Sequence, residues 1–103
     1  MWRGRYRCLQ GETGLELVVA GDDPADLTAS FRFHALTTNP SVPSGRFLMT
    51  GALTGSTLAM KQFRWVDAPP GYIMVDITAT ITDKHLAGTV TGPGCTDITL
   101  DRS

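Results

Sequence analysis

Apolar and polar positions alternate along nearly the whole chain, with a period of two that lapses wherever Gly, Pro, Asp or Asn cluster. The first run, Trp2 to about Gln10, places Trp2, Gly4, Tyr6, Cys8 and Gln10 on one face and Arg3, Arg5 and Arg7 on the other. That is the signature of a strand with one face in a core and one in water. Gly11-Glu12-Thr13-Gly14 follows as a predicted turn, its glycines free to take positive φ. A second strand is predicted over Gly14 to Ala20, with Leu15, Leu17 and Val19 together, and Gly21-Asp22-Asp23-Pro24 stops it. Pro24 lacks the N–H that a ladder needs.

The third strand, Asp26 to Ala35, sets Leu27, Ala29, Phe31 and Phe33 against Thr28, Ser30, Arg32 and His34. A longer connection from Leu36 to Gly45 is stiffened by Pro40 and Pro43. Arg46 to Thr54 and Thr57 to Val66 read as strands joined by Gly55-Ser56, a pair suited to a type II′ hairpin turn. Asp67-Ala68-Pro69-Pro70-Gly71 is a second rigid loop. The sixth strand, Tyr72 to Thr82, aligns Ile73, Val75, Ile77, Ala79 and Ile81 on one face. Asp83-Lys84 turns the chain into a seventh strand, Leu86 to Thr91, and Gly92-Pro93-Gly94 turns it into an eighth, Cys95 to Asp101. No segment carries a helical period.

These elements predict an all-β fold: an eight-stranded antiparallel up-and-down meander closed into a small barrel, residues 1–103 forming one domain. Closure removes the two free edges that an open meander would expose. A two-sheet β-sandwich of the same strands is the alternative. In the barrel, alternate links share an end, so residues 10–14, 36–45, 67–72 and 92–94 form one loop-rich rim. Binding residues concentrate on loops held by a rigid scaffold, and barrel mouths are frequent ligand sites.

The same topology brings the two cysteines together. Cys8 lies near the rim on the first strand, and Cys95 opens the eighth strand beside it. Paired antiparallel Cα atoms are about 4.5–5.5 Å apart, within reach of a disulfide. Parity complicates the pairing. Cys95 shares a face with Asp97 and Thr99, opposite Ile98 and Leu100, whereas Cys8 shares one with Trp2 and Tyr6. Either a bulge at about residues 96–97 intervenes, or Asp97 and Thr99 line a polar interior.

Composition narrows the partners. The 103 residues carry a formal charge of −1 with dispersed basic groups, so no footprint for nucleic acid or anionic lipid is present. No run approaches the ~20 apolar residues of a membrane helix, so membrane insertion is not expected. Charged residues are 18 %, below the usual quarter, as an outer face buried against another subunit or domain would produce. A homo-oligomer or a part of a larger chain are the corresponding expectations. No signal-peptide pattern follows Met1, which implies a cytoplasmic protein or a domain excised from a longer, secreted precursor.

Candidate chemistry is sparse. His34 and Asp76, like Arg32, sit opposite the apolar sets of their strands, and those two would make an acid–base pair only if that face lined a pocket. Two histidines and two cysteines at unrelated spacings give no zinc signature, and Asp22, Asp23 and Asp26 lack an EF-hand spacing, so no metal or cofactor is expected. Phe63 to Tyr72 is more informative: Trp65 and Tyr72 flank a stiff loop carrying Asp67, a combination suited to a flat or sugar-like ligand or a protein anchor. The candidate ligand-binding residues at and just below the rim are Tyr6, Gln10, Phe33, Asn39, Arg46, Trp65, Asp67 and Tyr72.

The opening Trp2-x-Gly4-x-Tyr6 followed by eight short strands resembles avidin-type and lipocalin-like (calycin) barrels. Lipocalins open on Gly-x-Trp, whereas here the Trp precedes the Gly. That resemblance implies a small molecule bound inside the barrel, although strands this short leave room for an interior filled by side chains. The run Cys8 to Leu15 also resembles a small bacterial β-domain attached to larger proteins. Three functions follow from these readings. The first is non-enzymatic binding of a small molecule or partner at the rim. The second is a filled module docking through its outer face, and the third a small acid–base enzyme using Asp76, His34 or Asp67.

Overall fold

The computed structural model describes Met1–Arg102. Eight antiparallel strands run in the order β1 (Trp2–Cys8), β2 (Gly11–Ala20), β3 (Leu27–His34), β4 (Gly45–Thr54), β5 (Thr57–Asp67), β6 (Asp76–Thr82), β7 (His85–Thr91) and β8 (Asp97–Arg102). Each pairs with its neighbour in sequence and β1 pairs with β8, so the meander closes into a barrel rather than splitting into a sandwich. The closing seam is a ladder from Trp2↔Arg102 to Tyr6↔Ile98.

The predicted inward faces fill the interior. Leu15, Leu17, Phe31, Phe33, Phe47, Met49, Leu58, Met60, Ile77, Leu86, Ile98 and Leu100 are all buried, leaving side chains where the calycin likeness implied a ligand. Six aromatic rings form a continuous stack through one side of this core. Tyr6 meets Phe31 edge-on at 5.0 Å, and Phe31 lies face to face with Phe47 at 4.5 Å. Phe33 and Phe47 both take the edge of Trp65, and Phe33 carries Tyr72 in a parallel stack at 5.4 Å. Curling eight strands this tightly needs sharp local coiling. Gly51 and Gly88 supply it: a methyl group at either would collide with the carbonyl of the neighbouring strand, Ala59 or Thr78.

Four strand bounds differ from expectation in ways that shape the rim. The β1–β2 turn is Leu9-Gln10, and Gly11-Glu12-Thr13-Gly14 lies inside β2, because Cys8 pairs with Gly11 and the ladder continues from there. Glu12 is thereby placed beside Arg5 and Arg7, at 3.4 and 2.7 Å. The Arg7 hydrogen bond, with the Arg5 charge adding to it, holds the Glu12 carboxyl below its usual range.

The sixth strand starts at Asp76 rather than Tyr72, and Ile73 is exposed rather than sharing the face of Val75 and Ile77. The cause lies in β5. Its register against β4 shifts twice, between Arg46/Phe47 and between Leu48/Met49, which leaves Phe63 and Val66 as the extra residues. These bulges turn Trp65 inward opposite Phe47 and leave Phe63 and Val66 exposed. They also carry the end of β5 away from β6, whose pairing with β5 stops at Met60↔Ile77. Residues 68–75 fill the gap as a loop. At its far end the Asp76 carboxylate accepts the backbone N–H of Gln62 at 2.9 Å, which caps the split.

The eighth strand starts at Asp97 rather than Cys95, and this answers the parity question. Ile98 and Leu100 are buried, while Asp97 and Thr99 face out. Above Tyr6↔Ile98 the register slips by one residue: the Thr96 N–H donates to the Arg7 carbonyl at 2.9 Å, and Cys95 comes opposite Cys8. An irregular step before Asp97 thus brings Cys95 to the inward side of β1, where the Cys8–Cys95 disulfide joins residues 87 apart.

Candidate functional site

Antiparallel order places four links at one end of the barrel: Leu9-Gln10, residues 35–44, residues 68–75 and residues 92–96. Three of them, Leu9-Gln10, residues 68–75 and residues 92–96, border a cleft of about 350 Å³, lined by Tyr6, Cys8, Leu9, Gln10, Gly71, Tyr72, Ile73, Val75, Pro93 and Cys95. The β7–β8 turn is the keystone of this wall. Gly94, at φ +74°, gives the chain its left-handed step and lets the Leu9 side chain lie directly against it. Gly92 leaves room for the methyls of Val75 and Ile73 and for the Cys95 sulfur.

One corner of the cleft is polar and internally bonded. The Gln10 side-chain amide donates to the Thr13 hydroxyl at 3.1 Å and to the Tyr6 hydroxyl at 3.5 Å. Thr13, wholly buried, donates in turn to the Gly11 carbonyl at 3.3 Å. Burial, with the Tyr72 phenol adding to it, pushes Tyr6 above the usual phenol range against the opposing pull of its hydrogen bonds to Gln10 and Thr13. Tyr6 is therefore a neutral hydroxyl throughout the physiological range. Among the described residues no charged side chain lines the cleft.

The structure gathers some of the sequence candidates here and distributes the rest. Tyr6, Gln10 and Tyr72 meet in the cleft wall. Phe33 and Trp65 lie beneath as its support, Phe33 stacked under Tyr72 and Trp65 set edge-on against Phe33. Arg46 and Asp67 pair across β4 and β5 on the outer face, away from the cleft. Asn39 acts from behind: its side-chain amide donates to the carbonyls of Gln10 at 2.6 Å and Glu12 at 3.1 Å, pinning the β1–β2 turn to the β3–β4 loop. Asn39→Ala is expected to cost about 1–3 kcal/mol in urea unfolding, because two carbonyls lose their donor. Asn39→Asp should cost at least as much, since a carboxylate would face both oxygens; a variant as stable as wild type would remove the pinning role.

Leu9, Ile73, Val75 and Pro93 were not among the sequence candidates. A signal existed for Leu9, the one apolar residue on the face that otherwise carries Arg3, Arg5 and Arg7. Ile73 gave none, because it continues the alternation of the sixth strand unbroken.

Residues proposed for acid–base chemistry do not converge. The His34 ring packs over Gly14 and lies 3.0 Å from the Ala35 carbonyl, while Asp76, on a strand not adjacent to β3, bonds Gln62. The His–Asp contact that the structure does hold is His85 to Asp101 at 2.9 Å, on an exposed part of the surface at the opposite end of the barrel. Among the described residues no three His, Cys, Asp or Glu side chains come together as metal ligands would. Comparison with protein-family models, with characterised proteins and with solved structures finds no match to this chain.

Proposed function

We propose that this barrel is a binding protein whose rim cleft takes a small, neutral, predominantly apolar molecule, with no chemistry performed on it. The cleft itself carries the reading: about 350 Å³, walled by two tyrosines, three aliphatic side chains, a proline and a disulfide, without a charge. That volume is at the lower end of ordinary ligand pockets, and an apolar wall with a few fixed polar groups is their usual make-up. Tyr6 and Gln10 provide the polar groups, held in place by Thr13 and, through the backbone, by Asn39. The Tyr72 ring offers an aromatic face whose orientation is set by Phe33. The likeness to calycin barrels supports the same reading, with the ligand seated above a filled interior instead of within it.

Titration with a panel of neutral aromatic and aliphatic compounds, followed by amide chemical shifts, tests this. Saturable shifts are expected at Leu9, Gln10 and Ile73. Tyr72→Ala should weaken binding by about 3–10-fold through loss of its ring face, and Arg46→Ala should leave it unchanged. A panel that produces no saturable shifts at those positions would remove the proposal. A second reading, a module that docks to another subunit or protein, is favoured by Phe63 and Val66, which the β5 bulges leave 59 % and 49 % exposed. Native mass spectrometry separates the two: a ligand-bound monomer supports the first, and a ligand-free oligomer the second.

A further inference from the structure

The disulfide differs from an ordinary buried staple in where it sits. Both Cys8 and Cys95 line the cleft assigned above to a ligand. The two sulfurs are not equivalent. Cys8 ends β1, is 9 % exposed, and is fixed by its pairing with Gly11. Cys95 is only partly buried and precedes β8, in a turn held by the Cys95 N–H to the Gly92 carbonyl at 3.1 Å and the Thr96 N–H to the Arg7 carbonyl at 2.9 Å. Position 92 lies against the Cys95 sulfur: a side chain there would place its first carbon 3.1 Å from a Val75 methyl and 3.3 Å from that sulfur, and glycine puts no carbon in that space.

We propose that Cys95 is a thiol-exchange site: a small thiol with no charge beyond that of its sulfur gives its proton to solvent and, as thiolate, attacks the Cys95 sulfur from the cleft. The incoming sulfur bonds to Cys95 Sγ as the Cys8–Cys95 bond breaks. Cys8 departs as thiolate and takes up a proton from solvent, balancing the one that the incoming thiol released there. One disulfide is exchanged for another, with no net oxidation or reduction. Exchange rates depend on which sulfur can be reached as well as on thiol acidity, and here the reachable one is Cys95. The organic part of the thiol remains among Tyr6, Tyr72 and Ile73, so the adduct occupies the site proposed above for a ligand. The inference rests on that same cleft but requires no reversible ligand. The barrel seam does not depend on the bond, because the ladder from Trp2↔Arg102 to Tyr6↔Ile98 closes it independently.

The test is to treat the folded protein with 2-mercaptoethanol, quench, alkylate free thiols with N-ethylmaleimide and map both modifications by peptide mass. The mixed disulfide is expected on Cys95 and the maleimide on Cys8. 2-Mercaptoethanesulfonate should react about tenfold more slowly, because it brings a second negative charge to an uncharged, apolar wall. Gly92→Ala, checked for native folding by circular dichroism, should slow both thiols by covering the sulfur. In urea the preference for Cys95 and for the neutral thiol should vanish. An adduct on Cys8, an even split between the cysteines, or no adduct under native conditions that suffice for the unfolded chain would overturn the proposal. Titration of a thiol-free apolar probe reports separately on the binding function: Cys95 adducts without probe binding sink only that function, and probe binding without Cys95 adducts sinks only the exchange site.

Discussion

Cys8→Ser/Cys95→Ser protein is expected to lose about 4–5 kcal/mol of unfolding free energy while keeping the circular dichroism of the native barrel. The bond joins residues 87 apart, so it restrains nearly the whole unfolded chain. In the chain-entropy account a closed loop of that length is worth about 4–5 kcal/mol, acting on the unfolded ensemble rather than on native contacts. The native seam has its own support in the β1–β8 ladder and in Ile98 and Leu100, both fully buried. Urea unfolding of the variant against oxidised wild type measures the difference. A loss below about 1 kcal/mol would show that the unfolded chain keeps its ends together without the bond.

Phe33→Ala should be the most damaging single core truncation for the site, costing about 3–5 kcal/mol as typical for buried phenylalanine. Phe33 is 1 % exposed and stands at the junction of core and rim. It packs on Phe31 below, on Trp65 at the side and on Tyr72 above. Gly45, which opens β4, lies against its ring, with Pro69 of the 68–75 loop beside Gly45. Removing the ring therefore costs core packing and frees Tyr72 and the 68–75 loop at once. Phe33→Leu retains most of the volume and should recover much of the stability, yet it gives Tyr72 no flat surface to stack on. Thermal melts measure the stability of both variants, and Trp65 fluorescence reports the local change. If Phe33→Leu held the cleft amides at their wild-type shifts, the aromatic stack would not be what positions Tyr72.

The fold was legible because its signal is repetitive. Period-two alternation recurs in every strand, and Gly55-Ser56 or Asp83-Lys84 can only be tight turns between such runs. Closure followed from the two free edges that an open eight-stranded meander would expose, and it placed the two cysteines side by side. Departures occur where tertiary contacts override the alternation. Gly11 to Gly14 has turn composition but is strand, since Arg5, Arg7 and Glu12 favour continued pairing. Tyr72 to Val75 alternates like strand but is loop, since the bulges at Phe63 and Val66 remove its partner. The one-residue slip before Asp97 was visible as a parity conflict, though not which way it would resolve. The rim was legible as a place, and Tyr6, Gln10 and Tyr72 as members of its wall. Pro93 was legible only as part of a rim turn, and Leu9 only as the one apolar residue on an arginine face; their meeting depends on Gly94, which lets that turn lie against the Leu9 side chain.

One further consequence follows from the Trp2↔Arg102 pair, reinforced by the Arg102 guanidinium lying 5.6 Å over the Trp2 ring. The chain enters and leaves the barrel at one point, at the pole opposite the cleft. Such an arrangement works like a plug on a stalk: it can be tethered by one end or both, or inserted into a loop of a host polypeptide, without disturbing the opposite mouth. The same adjacency permits circular permutation, in which a short linker joins β1 at Trp2 to β8 at Arg102 and new ends open at Gly55-Ser56, leaving the cleft undisturbed.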